Sequence, residues 1–266
     1  SAGIWSRRDM RAQRDAETIK RLRAAGAICL GITNVPEGGL WMETYNDVYG
    51  RTVNPWNRGR AAGGSSGGDG AIVAAGGVAF GLGADVGGSI RIPAAFCGTV
   101  GHKQSGRMVP NTGFWPEAVG EMNAYLVVGP LTRCVDDVMP LLKVLAGPDG
   151  VDPCCREFEL GDPAAVKVQD LVVYPVHDSG FTKTGEVNRR VVDDAAKHLR
   201  DAGAQVRELD PKRLRKAFHI WSSMMATTGG PSYSKVLGDG GDVSITRELV
   251  KLGLRRSKHT LPALVI

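Results

Sequence analysis

Three serines set in two glycine-rich turns are the residues of this chain best placed to do chemistry. Ser65 and Ser66 lie inside Gly63-Gly64-Ser-Ser-Gly67-Gly68, and Ser89 lies inside Gly87-Gly88-Ser-Ile90-Arg91. Twelve of the chain's 36 glycines fall between Gly59 and Gly88. Ile72, Val73, Val78, Phe80, Ile90, Ile92 and Phe96 are interleaved with them, so this stretch reads as packed, tightly turned backbone and not as a solvated linker. A serine hydroxyl becomes a nucleophile when a base takes its proton. Backbone N–H groups in a glycine turn can approach a developing negative charge closely.

Several motifs compete for the block. A phosphate-binding P-loop needs Lys-Ser/Thr after its glycines, and GGSSGGDG has none. A dinucleotide fingerprint is only partly met, because Gly81-Leu-Gly83 is followed by a glycine one position late, at Gly87. Gly64-Ser65-Ser66-Gly67-Gly68 fits a G-x-S-x-G nucleophile elbow centred on Ser66. That reading needs a later acid and histidine. His102 comes too soon and His198 sits mid-helix, leaving His177 in VHDSG as the best partner for an esterase of the α/β-hydrolase type.

The elements that position these serines follow from periodicity and punctuation. The pattern over 9–25 predicts a helix ended by Gly26, and 27–32 (AICLGI) predicts a buried strand. Pro36 starts a turn or short helix, Leu40, Trp41 and Met42 form an apolar cluster, and 44–55 reads as a loop. A small-residue helix is expected over 68–78, a strand over 80–85, a turn at 87–89 and a second helix over 90–96. Both serine sites then precede helix N-termini, where free N–H groups favour negative charge. Further on, the pattern predicts helices over 134–145 (despite Pro140), 187–202, 211–228 and 245–254. Strands are expected over 171–176 and 206–209, a connecting segment over 150–167, and a glycine-rich loop over 228–242. Helices alternating with short apolar strands are α/β logic.

Composition bounds the rest. At 266 residues the chain can bury a sizeable core as one large domain or two small ones. A net charge of +5 is spread along the sequence without interleaved aromatics, so no nucleic-acid partner is expected. Five cysteines show no C-x-x-C and no zinc spacing, so no metal is expected and a reducing intracellular compartment is favoured. Cys29 and Cys97 read as small core residues, and Cys154–Cys155 as a chance pair. No apolar run is long enough to span a membrane. The chain opens at Ser1 without a methionine and stops at LPALVI, so both ends read as cut.

The block GGSSGG, the small-residue segment after it, GLGADVGGSIRIPAAFCG and GHK together resemble the signature of the amidase signature family. The neighbouring LGITNVPE, GRTVNPW, NTGFWP and GPLTRCVDD are similar to its fatty-acid amide hydrolase branch. The resemblance implies an α/β fold with a mixed twisted sheet covered by helices on both faces, truncated at both ends and spanning 1–266 as a partial amidase signature domain, signature block 59–103. It implies an amidase that cleaves carboxamide C–N bonds with no cofactor, acting on a small-molecule amide substrate such as a hydrophobic N-acyl amide. By the same resemblance Ser89 is the acyl-forming nucleophile and Ser65, held by a cis Gly64–Ser65 peptide, the bridging serine. The N–H groups of Val86, Gly87, Gly88 and Ser89 form the oxyanion hole, with Asp85 and Arg91 bracing the turn.

Read alone, Ser89 would be a turn serine capping the helix after it, and the surrounding block is what favours the nucleophile. Leu40, Trp41 and Met42 could line an acyl channel or be plain core, and Ser66 is a neighbour of the site. Thr44 and Asn46 either support the bridging serine or simply form turns. Three positions depart from the family pattern. Its lysine base falls upstream of Ser1, because Lys20 is too close to the serines and Lys103 follows them. Ala84 stands where relatives commonly carry Thr or Ser, and Gln104 replaces a proline. The fragment is therefore expected to turn over little substrate. Membrane association of the full-length protein through a missing N-terminus and a homodimer both stay open, as does a non-catalytic relative that keeps the fold.

Overall fold

A computed structural model describes residues 1–180, 182–229 and 232–265. The chain divides into two compact units, one formed by 1–158 with 229–266 and the other by 159–228. No helix among the described residues is long and apolar enough to cross a membrane.

In the first unit, α1 (Glu17–Ala24) is followed by the strand pair β1 (Tyr45–Asn46) and β2 (Gly50–Arg51). Then come α2 (Gly67–Ala74), β3 (Phe80–Asp85), α3 (Arg91–Cys97), β4 (Val100–Gly101), α4 (Met122–Tyr125), β5 (Val127–Thr132) and α5 (Val138–Leu145). In the second unit, β6 (Val172–Val173), α6 (Glu186–Asp201) and β7 (Gln205–Val206) form a parallel βαβ unit, with Val172 opposite Gln205 and Val173 opposite Val206. The helix α7 (Ala217–Thr227) follows. The chain then returns to the first unit with α8 (Tyr233–Leu237), α9 (Ile245–Gly253) and α10 (Leu261–Val265). The architecture is α/β, with antiparallel and parallel pairing in separate small sheets.

The sheet that matters is antiparallel, in the order β3-β5-β4, with Ala84 opposite Val128 and Leu82 opposite Pro130. The two-residue period of β3 sorts its side chains onto two faces. Phe80, Leu82 and Ala84 meet Leu22 of α1 and Leu141 and Leu145 of α5. Gly81 and Gly83 face α2, and on β5 Leu131 meets Ile90 and Ala94 beside α3. Helices thus cover both faces. Arg21 fastens α1 to the end of α5: its guanidinium donates to the carbonyls of Leu145, Ala146, Gly147 and Pro148. The Leu145 carbonyl is one of the acceptors that a helix C-terminus leaves free, and the other three follow it in the turn.

Several expectations change. The helix expected over 9–25 begins only at Glu17, because the Glu17 N–H donates to the Thr112 carbonyl and Gly113 packs on Ala16. The helix expected from Cys134 becomes a short 3-10 turn over Val135–Asp137, with Val135 exposed, and the α-helix starts at Val138. Pro140 then lies in the first turn, where a missing N–H costs no helical bond. Strands expected over 171–176 and 206–209 shrink to two residues each. The helix expected over 211–228 splits into a 3-10 turn over Pro211–Leu214 and α7.

The glycine-rich segment 228–242 is not all loop. Leu237 of α8 is buried with Ile4 and Ala263, and the Tyr233 hydroxyl donates to the Glu37 carbonyl. The buried strand expected over 27–32 is overturned. This stretch is irregular and pairs with no strand among the described residues, and Ile28, Leu30 and Ile32 are 84%, 73% and 95% exposed. Cys29 is accordingly exposed, whereas Cys97 is buried; no disulfide joins Cys154 and Cys155.

Candidate active site

Glycine brings the serine block against the sheet. A Cβ at Gly83 would lie 2.5 Å from Ser66 Oγ and 2.8 Å from Ser66 Cβ, and one at Gly81 would lie 2.7 Å from Asp69 Oδ1. Bare strand backbone therefore lets α2 sit directly on β3. Ser66, 3% exposed, is held there by its hydroxyl, which accepts the Ala84 N–H at 3.2 Å. Its own N–H donates to the Ser89 carbonyl at 3.1 Å. That bond joins the two serine turns, distant in sequence, through main chain alone. The Gly64–Ser65 peptide is cis. Ser65 is 8% exposed and Ser89 half-buried, and among the described residues neither hydroxyl makes a hydrogen bond.

The turn after β3 is closed from within. Asp85 is fully buried and accepts hydrogen bonds from the Gly88 N–H at 2.7 Å, the Ile90 N–H at 3.1 Å and the Arg91 N–H at 3.3 Å. Two more come from the Arg91 guanidinium, each at 3.0 Å. Burial pushes against ionisation of this carboxyl, but the Arg91 guanidinium and the backbone donors outweigh it and hold Asp85 below the usual carboxylate range. Asp85 and Arg91 thus brace the turn. The Gly88 N–H is committed to Asp85, and this revises its place among the four expected oxyanion donors. The N–H groups of Val86, Gly87 and Ser89 have no acceptor among the described residues.

The apolar cluster beside the serines is not core: Leu40 and Met42 are 46% and 57% exposed, and Trp41 is half-buried. A Cβ at Gly64 would lie 2.5 Å from the Trp41 carbonyl oxygen, so this segment is backed directly onto the serine loop. Asn46 donates to Asn34 Oδ1 and the Val35 carbonyl, each at 2.7 Å, and so pins the β1–β2 turn to the Asn34–Val35 segment. Lys20 is exposed beside Glu17, while Lys103 is half-buried and its pKa is lowered by burial, with Asp85 pulling the other way. Gln104 is buried and donates to the Val128 carbonyl of β5 at 2.6 Å. His177 bonds Asp193 in the second unit, and no residue of the serine block shares that unit. Among the described residues no cluster of His, Cys, Asp and Glu could hold a metal ion.

Two charged groups lie outside the expected set. Glu37 is 2% exposed, bonds His259 at 2.6 Å and accepts the Thr260 N–H at 2.7 Å. Asp69, in the first turn of α2, accepts the Thr33 hydroxyl at 2.8 Å, and burial pushes its carboxyl up to about 7 in spite of that bond. Nothing local in GGSSGGDG marks Asp69 as buried; the signal was the pair of glycines on the facing strand. The native state therefore keeps a proton that an unfolded carboxyl releases near pH ~4. The contribution of Asp69 to stability is greatest below that pH and falls as pH rises to about 7, by on the order of a few kcal/mol. Relative to Asp69→Asn, the wild-type melting temperature should fall between about pH 4 and 7. A difference that stays flat across that range would contradict this.

The comparisons fit this geometry. The family model described as Amidase matches residues 1–264. The chain is 39% identical over 275 residues to human fatty-acid amide hydrolase 2, covering 99% of this chain and 50% of that protein. It is 37% identical over 227 residues to an acylamidase of Rhodococcus erythropolis, covering 84% and 46%. A solved structure of fatty acid amide hydrolase superposes with a TM-score of 0.76 at 27% identity, covering 97% of this chain and 46% of that one. The chain spans about half the length of the curated relatives it matches. A match along nearly the whole chain, together with two serine turns joined through their backbones, leaves one conclusion: the chain belongs to the amidase family.

Proposed function

We propose that the complete protein is a serine amide hydrolase acting on hydrophobic N-acyl amides. Ser89 Oγ attacks the amide carbonyl and its proton passes to Ser65, whose own proton goes to a lysine supplied from outside residues 1–266. The oxyanion is met by the N–H groups of Val86, Gly87 and Ser89, and the relayed proton leaves with the amine. Water then hydrolyses the acyl-enzyme. The observation that carries this reading is the Ser66 N–H to Ser89 carbonyl bond, which sets both serine turns side by side and beside three unoccupied donors. The substrate class is supported by exposed Leu40 and Met42 next to the serine loop and by the activity for which the relatives are named.

A lysine that deprotonates serine near neutral pH must be neutral, which burial achieves by lowering its pKa from about 10.4. Neither Lys20 nor Lys103 is as deeply buried as that role needs. The test compares residues 1–266 with the complete polypeptide on a panel of N-acyl amides of increasing chain length. Long acyl chains should be preferred, and residues 1–266 alone should be slower by at least about 10²-fold, the ordinary worth of a general base. Preference for small polar amides overturns the substrate class. Full turnover by residues 1–266 overturns the external base.

A further inference from the structure

We propose that Thr44 is the positioning residue for the bridging serine, an assignment that rests on the Ser65 relay above. Thr44 is 1% exposed, and it is a neighbour of the serine loop in space only. Its hydroxyl reaches both ends of that loop. It donates to the Gly63 carbonyl at 2.8 Å, with the Ser65 carbonyl at 3.4 Å in the same fan, and it accepts the Gly67 N–H at 3.2 Å. A hydroxyl has one proton and two lone pairs. Here the proton serves the residue two before Ser65, and a lone pair serves the residue two after it.

The loop has little else to fix it from that side. A side chain at Gly67 would overlap the Thr44 hydroxyl, so the glycine exists to let the hydroxyl in. Thr44 is itself anchored, since its carbonyl accepts the Thr52 N–H at 2.9 Å beside the β1–β2 pair. It also continues the Leu40–Met42 segment, whose Trp41 carbonyl packs on Gly64. The segment offered to the acyl chain and the loop that carries the relay are thus in direct contact. Thr44 touches neither substrate nor the Ser65 hydroxyl; it acts through the loop backbone.

Ser65 must keep its hydroxyl between Ser89 and the base, and a displacement of about 1 Å in such a group can cost about 10²-fold in rate. In the complete protein, with a long-chain acyl p-nitroanilide as substrate, Thr44→Val should lower kcat by about 10²-fold and leave KM within about twofold. Thr44→Ser, which keeps the hydroxyl, should restore kcat to within a few-fold of wild type. Labelling of Ser89 by a fluorophosphonate should slow in Thr44→Val and recover in Thr44→Ser. A folded Thr44→Val with wild-type kcat, or one changed in KM alone, overturns the proposal. If Thr44→Val does not fold, Thr44→Cys keeps the size with a far weaker donor, and wild-type kcat there overturns it equally. Ser65→Ala is measured in parallel. Full activity in that variant sinks the relay itself, whereas an inactive Ser65→Ala beside a fully active Thr44→Val sinks only the role of Thr44.

Discussion

Ser89→Ala in the complete protein should abolish amide hydrolysis and leave the fold intact. Replacing a catalytic serine costs on the order of 10⁵ to 10⁶-fold in kcat where nucleophile, relay and base act as a unit. The structure separates this loss from any loss of stability. The tie between the two serine turns runs through the Ser89 carbonyl and the Ser66 N–H, which alanine at 89 retains. The turn itself is closed by Asp85, Gly88, Ile90 and Arg91, without the Ser89 hydroxyl. The variant should therefore melt within about 1 °C of wild type while its turnover falls to background. Retained activity would move the nucleophile elsewhere, and peptide mapping after fluorophosphonate labelling would then show whether Ser66 takes the label. Ser66 is ill placed for attack: it is buried between α2 and β3, and its oxygen already accepts the Ala84 N–H.

The largest effect on stability is expected at Gly83. Its backbone is ordinary strand, so any residue could adopt it; the obstacle is space. A Cβ there meets Ser66 Oγ at 2.5 Å, Ser66 Cβ at 2.8 Å and Leu131 Cδ1 at 2.9 Å. The first two belong to the start of α2 and the third to the buried face of β5, and none is the free end of a flexible chain. Gly83→Val should cost about 3 kcal/mol or more, at or above the upper range for overpacked cores. Gly161→Val is the matching control, because no atom lies within 4 Å of a Cβ there. The melting temperature of Gly83→Val should drop by roughly 2–4 °C per kcal/mol lost, and the control should stay near wild type. Equal melting of the two variants would show that α2 can lift from β3 without cost. Since Ser66 N–H holds the Ser89 turn, Gly83→Val should also reduce turnover in whatever fraction remains folded.

The serine block was the most legible part of this sequence, for a physical reason. Its strand, turn and helices are specified locally: β3 spans Phe80–Asp85 as the pattern predicts, and α2 and α3 begin within a residue of their expected starts. Long-range elements were harder to read. The strand β5 went unforeseen because VVGPLT holds Gly129 and Pro130, residues that argue against a central strand. Pro130 is tolerated because its missing N–H points toward β4, whose pairing has run out after Gly101; its carbonyl still accepts the His102 N–H. The partition between α1 and the irregular residues before it was set by Thr112 and Gly113, far along the chain. The site shows the same limit. The family resemblance singled out Ser65 and Ser89, but the capture of the Gly88 N–H by Asp85, the burial of Asp69 and the reach of Thr44 depend on contacts that no local pattern encodes.

The exposed stretch 27–32 carries a consequence for handling the protein. It has no charge and no proline and belongs to no strand, and among the described residues its backbone is bonded only where the Ala27 N–H donates to the Leu22 carbonyl and the Gly31 carbonyl accepts the Cys29 thiol. Such a segment is a template for strand pairing between molecules. Ile28, Leu30 and Ile32 are all exposed, so a second copy pairing here would add apolar contact to main-chain hydrogen bonds. A single Lys or Glu in place of Ile32 would act as a gatekeeper against self-association, one residue before the Thr33 hydroxyl that steadies Asp69.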